Sequence, residues 1–253
     1  MAVVPAAASV LAVLKYLASQ AGPVRAAAIS RDVGLPRSST YHLLDTLIQA
    51  GFVVHIPEEN RYGLGVVAYE LGSGYSRQEP LHRLARAPVA ALVDRVGHSA
   101  HLAVMHGRDV IYVIEERAPG GAPLVSDVGV RLPAQLTATG RAMLAKLAQA
   151  QLRALFPDPS AFVMRNDLGP RSLSALRHIL VQTRKRGYAE ENGEVTEGLS
   201  SVAVAVSDRA GLPVAGVAVT FRTQEVSEAA QARAVQQVTR TSREISRRLG
   251  AAI

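Results

Sequence analysis

The forty residues from Ala26 to Gly65, AAAISRDVGLPRSSTYHLLDTLIQAGFVVHIPEENRYGLG, constrain the fold more than any other stretch of the chain. A short helix is expected over residues 27–33, closed by a turn at Gly34, where glycine supplies the positive φ that a tight turn needs. Pro36 pre-sets the backbone of the first turn of a second helix. In that helix Thr40, Leu43, Leu44, Leu47 and Ile48 follow the i, i+3, i+4, i+7, i+8 stripe of a half-buried segment. Ile29, Val33 and Leu35 fall where the first helix must pack on it. Gly51 ends the second helix. Residues 52–56 and 61–64 are then extended runs around the turn Pro57-Glu58-Glu59-Asn60, which makes a hairpin. Two crossed helices followed by a hairpin form a winged helix-turn-helix.

The outer face of the second helix carries Ser38, Tyr41, His42, Asp45 and Gln49, with Arg37 and Ser39 at its N-terminal end. Such side chains donate and accept hydrogen bonds, as readout in the major groove of DNA requires. One Arg with short hydroxyl residues at a helix start also suits phosphate. The candidate DNA-binding residues are therefore Arg37, Ser38, Ser39, Thr40, Tyr41 and His42, with Arg61 on the wing. Tyr41 and His42 are expected nearest base edges. The competing reading is a helical hairpin that serves only protein contacts.

With 253 residues the chain has room for two domains, and a 48% apolar share allows a sizeable core. Trp is absent and aromatics are few, so that core is mostly Ala, Val and Leu. The absence of Cys removes disulfides, thiolate metal sites and cysteine nucleophiles. It fits a reducing compartment, and a cytoplasmic protein is expected. The net charge of +7 permits nucleic-acid binding, yet residues 1–67 hold five Lys/Arg against four Asp/Glu. No run of 18 apolar residues occurs, so no membrane span is expected. Residues 2–14 are apolar like a signal peptide, but they lack a basic leader and run into Lys15. A first helix over residues 7–19 is the better reading.

After the wing, residues 66–75 look helical, weakened by Gly72 and Gly74, and Pro80 opens a helix to about residue 96. These make a connector. Strands are expected over residues 102–106 and 110–115 as a hairpin, with a short extended piece at 124–128. Helices follow near residues 139–146, 149–155 and 172–185. The Arg184-Lys185-Arg186 triplet reads as a basic helix C-terminus rather than a nucleic-acid patch. Strands at 202–206 and 214–221 and a last helix over about 227–249 complete the chain.

Three motifs carry a resemblance. One is Asn60-Arg61-Tyr62-Gly63-Leu64-Gly65. Another is Gly129-Val130-Arg131-Leu132-Pro133-Ala134, followed by Leu136-Thr137-Ala138-Thr139-Gly140-Arg141-Ala142-Met143-Leu144-Ala145. The third is Gly187-Tyr188-Ala189-Glu190-Glu191 with Glu194, Glu197-Gly198 and Ser201-Val202-Ala203. With the winged helix before them, the chain resembles the IclR family of bacterial transcription regulators from about Ser9 to Leu249. The resemblance implies an α+β protein. A winged helix (1–65) and connector helices (66–96) precede a GAF-like effector-binding domain (97–253), an antiparallel sheet flanked by helices. It implies a homodimer or dimer of dimers on a pseudopalindromic operator in double-stranded DNA, modulated by a small organic acid or aromatic effector, with repression the expected sign. It also places Glu191, Ser201, Ala218 and Thr220 around the effector. The chain departs from the pattern at His42, where the family often has Arg, and at Ala218, which lacks a hydroxyl.

The segment from Gln135 to Gly140 supports a pocket on its own chemistry. Thr137 or Thr139 can cap the helix that follows, and Ala138 and Gly140 bring backbone N–H groups close to a carboxylate. Ser200, Ser201 and Thr220 could add hydroxyls, and an otherwise apolar lining of Val, Leu and Met is expected. Glu191 and Glu194 read either as solvated loop acids or as ligand contacts. His101 and His106 point to opposite faces of a strand, which argues against a metal site with His98 or Glu115. No cofactor is expected. No nucleophile elbow, P-loop or paired-histidine helix is present, so an enzyme is not expected. A protein-contact scaffold and a hydrolase with an accessory winged helix are the rival classes.

Overall fold

The computed structural model describes residues 4–78, 80–121 and 124–252, and their side chains except those of residues 73–80. The chain divides into two compact units, residues 1–79 and 80–253.

The first unit opens with α1 (Pro5–Ala18), α2 (Ala26–Val33) and α3 (Arg37–Gln49). Strands β1 (Val53–Ile56) and β2 (Arg61–Leu64) pair antiparallel, and α4 (Val66–Gln78) follows. The turn between α2 and α3 is made by Gly34 at φ 74°. Val13 and Leu17 of α1, Ile29 of α2 and Leu44 and Leu47 of α3 form the small core, closed by Val53 and Tyr62 of the wing. Val24 bridges to Tyr62 and so ties the start of α2 to the wing. Gly65 permits the sharp exit from the hairpin, since a Cβ there would lie 2.3 Å from the Gly51 carbonyl oxygen.

The second unit begins with α5 (Pro80–Val96). Its strands are β3 (Ser99–His106), β4 (Asp109–Glu116), β5 (Arg131–Pro133), β6 (Ala189–Asn192), β7 (Leu199–Ser207) and β8 (Pro213–Arg222). They form one antiparallel sheet in the order β5-β4-β3-β8-β7-β6. Helices α6 (Ala138–Leu144), α7 (Gln149–Leu155), α8 (Leu173–Arg186) and α9 (Glu228–Arg248) complete it. The extended piece expected at 124–128 is not a strand; β5 follows it instead.

Strand alternation sorts this sheet into two chemically different faces. Val202, Val206, Val217, Val219 and Phe221 point to one side and pack with Leu92 of α5 and Val238 and Ile245 of α9. Ala103, Ala203, Ala205 and Ala218 point to the other, toward Met143 of α6 and Leu176 and Leu180 of α8. The small residues on that second face let α6 approach closely. A Cβ on Gly216 would lie 2.8 Å from the Thr139 carbonyl oxygen, and one on Gly140 only 2.2 Å from that of Ala134.

Two arginines show how backbone carbonyls left without a helical donor are satisfied. Pro88 lies inside α5 and has no N–H, so the Leu84 carbonyl four residues earlier lacks its helical donor. The Arg248 guanidinium of α9 donates to that carbonyl at 3.1 Å. Arg184 at the end of α8 likewise donates to the Ala145 carbonyl at 3.0 Å. Arg184 is thus spent on packing, as a basic helix end would be.

Candidate DNA-reading helix and effector pocket

On α3, Thr40, Leu44 and Leu47 are buried, while Arg37, Ser38, Ser39, Tyr41, His42 and Asp45 are exposed. One correction concerns Thr40. It sits among the expected DNA contacts, but it is fully buried and its hydroxyl donates to the Pro36 carbonyl at 3.0 Å. The stripe that holds the helix to the core claims it. Tyr41 keeps half of its surface exposed. Arg37 makes no ion pair among the described residues. Arg61 is less free: its Nε lies 3.6 Å from Glu59, and it donates to the Pro23 carbonyl at 3.4 Å.

In the second unit, the expected effector residues divide into two groups. Glu191, Ser201 and Thr220 stand at one register level across β6, β7 and β8. The Ser201 hydroxyl donates to Glu191 Oε1 at 3.0 Å and lies 2.8 Å from the Thr220 hydroxyl. These three side chains line a cavity together with Thr137 and Ala138. Thr137 is the cap of α6, accepting from the Gly140 N–H at 3.0 Å. Thr139, Gly140 and Ala218 do not line the cavity. Thr139 lies over Gly216, Gly140 against the Ala134 backbone, and Ala218 in the core beneath α6. Ser200 faces away, its hydroxyl 2.6 Å from that of Thr223.

The cavity also takes in residues outside the expected effector set. His101 is buried, its ring meets Tyr112 edge-on at 5.0 Å, and both line the cavity. Alternation along β3 was the available signal, because it separates His101 from exposed His106. Leu124, Val125, Ser126, Val195, Thr196 and Leu199 close the cavity, and no Met is among the lining residues. Beside the expected Val and Leu residues, the lining thus adds His101, Tyr112, Ser126 and Thr196. The free space is about 20 Å³, little more than a water molecule needs, so a larger ligand requires these side chains to part.

Glu191 is not a solvated loop acid; it is a buried strand residue. Burial pushes its carboxyl up to about 7, and the neighbouring Glu194 carboxylate adds to this. The Ser201 hydroxyl, the Val195 N–H and the Arg141 charge pull the other way. Burial holds His101 down to about 4, so its ring is neutral near pH 7, and Nδ1 has no hydrogen-bond partner among the described residues. Arg141 is committed elsewhere, donating to the carbonyls of Gln135 and Glu190 and to Glu194 at 2.8–2.9 Å. The lining therefore offers hydroxyls, a neutral imidazole and the Glu191 carboxyl, but no fixed cation. No group of His, Cys, Asp or Glu among the described residues could hold a metal ion.

A winged helix-turn-helix joined to an antiparallel sheet with a buried polar pocket defines a DNA-binding regulator with a sensory domain. The family model for the IclR helix-turn-helix domain matches residues 6–57, and that for the bacterial transcriptional regulator IclR C-terminal region matches residues 74–247. The chain belongs to the IclR family of bacterial transcription regulators. It is 30% identical over 240 residues to the HTH-type transcriptional regulator XynR of Escherichia coli K12, covering 95% of each chain. It is 32% identical over 242 residues to the glycerol operon regulatory protein of Streptomyces coelicolor, covering 95% of this chain and 94% of that one. Its fold matches an IclR homologue from Microbacterium hydrocarbonoxydans solved with 4-hydroxybenzoate, with a TM-score of 0.83 at 21% identity, covering 98% of this chain and all of that one.

Proposed function

We propose that α3 reads an operator in double-stranded DNA, and that a small organic acid or aromatic metabolite in the second unit's pocket alters that binding. The observation that carries the reading is the exposed polar face of α3 over a face that buries Thr40, Leu44 and Leu47. Tyr41 and His42 lie at base edges in the major groove, and Arg37, Ser38 and Ser39 meet phosphates. Arg61 reaches the flanking backbone from the wing. A winged helix alone spans too few base pairs for a unique address, so the chain acts as a dimer on a pseudopalindrome. Exposed Leu11 of α1 and Val66, Tyr69 and Leu71 of α4 supply the apolar surface for such a contact.

The pocket favours an uncharged or singly charged ligand. A second negative charge beside Glu191 would find no cation in the lining to offset it. The ligand shifts DNA affinity only as far as it discriminates between two arrangements of the chain, typically about 1–3 kcal/mol. Selection of binding sites from random duplexes, repeated with a panel of monocarboxylates and dicarboxylates, tests the reading. A pseudopalindrome whose occupancy responds to a monocarboxylate is expected. Recovery of no sequence preference would overturn it.

A further inference from the structure

The positive charge of this chain is not where its DNA-reading helix is. Residues 1–79 hold six Lys/Arg and six Asp/Glu, so the whole +7 excess belongs to residues 80–253. Non-specific attraction to DNA is almost entirely phosphate neutralisation by Lys and Arg. A neutral winged-helix unit lacks the excess that normally supplies it.

Part of the excess is arranged in a row. Arg233, Arg240, Arg243 and Arg247 of α9 are all exposed. With exposed Gln236 they repeat at alternating steps of three and four, which keeps them along one side of the helix. Half-buried Thr239 lies beside the row, and Gln236, Thr239, Arg240, Arg243 and Arg247 line one shallow groove. From Arg233 to Arg247 the row runs roughly 21 Å at the helical rise per residue. Among the described residues, none of the four guanidinium groups makes an ion pair or a side-chain hydrogen bond. The nearby Glu244 is taken by Arg248 at 2.5 Å. The opposite side of α9 is committed to the core through Ala234, Val238 and Ile245. The arginines are therefore held on a rigid support while their heads stay unpaired.

We propose that this arginine face of α9 binds the phosphate backbone of duplex DNA. One strand presents a phosphate about every 3.4 Å of helix axis, so a row of this length can follow several of them. Planar guanidinium forks suit phosphate oxygens, and Gln236 and Thr239 add uncharged hydrogen-bonding groups between them. A second copy of the chain is a poor occupant, because a twofold contact of this face with itself sets arginine against arginine. The face gives no base readout. It supplies the salt-sensitive, sequence-independent share of affinity, and α3 supplies the choice of site.

The test uses the full chain and a random-sequence 40-base-pair duplex, with the binding constant followed from low to moderate salt. Replacing all four arginines by Gln is expected to flatten the plot of log K against log salt by about 0.9 for each phosphate no longer neutralised. The four-Lys variant should keep most of the slope. A control variant with Arg108, Lys146, Arg153 and Lys185 changed to Gln removes the same charge from exposed positions elsewhere in the unit. It should keep the slope as well. The proposal is overturned if the α9 variant, with an unchanged melting curve, keeps the slope of the unaltered chain. It is overturned equally if the control variant loses as much, or if the unaltered chain ignores the random duplex. Loss of binding to polyglutamate with an unchanged DNA slope would assign the face to an acidic protein instead.

Discussion

In the first unit the polar groups able to meet a partner stand outside the core, on α3, with Ser38, Tyr41 and His42 exposed above Leu44 and Leu47. In the second unit they lie inside, where Glu191, Ser201, Thr220 and His101 are all buried. A single helix divides inside from outside by rotation, so thirteen residues of α3 carry both the support and the reading face. The pocket is assembled from β3, β4, β6, β7, β8 and the start of α6, elements far apart in the chain. A surface of the first kind keeps its polar groups hydrated until a partner comes. A pocket of the second kind must let its polar groups satisfy one another, as Thr220, Ser201 and Glu191 do.

The largest expected effect separates the two units by stability. Leu44 is fully buried in the small core of the first unit. Leu44→Ala should cost that unit about 2–5 kcal/mol. Calorimetry should show one transition moving down while that of the second unit stays in place. Equal movement of both would break the division.

Next in size is the pH response of the pocket. Glu191 has its usual value of 4.5 raised to about 7, so the unfolded chain gives up its proton first as pH rises. Stability from this group is complete below about pH 4.5 and lost as pH climbs to about 7. His101 acts the opposite way. Its usual 6.5 is lowered to about 4, so its contribution is complete above 6.5 and lost as pH falls toward 4. The two act in opposite directions in the unaltered chain. Glu191→Gln should therefore make the second unit gain stability from pH 4.5 to 7 relative to the parent, and His101→Gln should make it lose stability, each by roughly 1–3 kcal/mol. Denaturant titrations across that range would show it. Parallel profiles for all three proteins would mean that these groups are not buried as described. By the same sign, affinity for a monocarboxylate should weaken as pH passes about 7, and Glu191→Gln should remove that dependence.

Smaller effects sharpen the outer face of α3. His42→Ala should cost about 1–3 kcal/mol of operator affinity and relax one base position, as removal of a base-reading side chain does. Arg61→Ala should cost less than about 1 kcal/mol, because the arginine is already shared with Glu59 and Pro23 at the surface. Titration of each variant on selected and scrambled duplexes measures both. A larger loss at Arg61 than at His42 would move the centre of recognition to the wing.

The contrast between helix and pocket also explains what could be read from sequence. The half-buried stripe of α3, the hairpin around Pro57 to Asn60 and the β8 run are local patterns, and each lies within a residue or two of its expected place. Thr40 was ambiguous because a threonine suits both a helix stripe and a phosphate contact. The pocket depends on register between distant strands. Nothing local distinguishes Glu191 in a strand from a loop acid, or places Tyr112 beside His101. Arg141 stands in the apolar run Arg141-Ala142-Met143-Leu144, and only the folded chain reveals the carbonyls and the Glu194 carboxylate that hold it. Ala218 and Thr139 fall near the pocket in sequence order, yet close packing of α6 on Gly216 takes both into the core.

The central claim is that α3 chooses the DNA site while the second unit senses the ligand. Its most direct test is protection footprinting of the DNA beside the chain's own gene, comparing the unaltered protein with the Tyr41→Ala, His42→Ala double variant. The account predicts a protected pseudopalindrome that the double variant no longer selects, with the ligand affinity of the second unit intact. Protection of the same site by the double variant at unchanged affinity would contradict it.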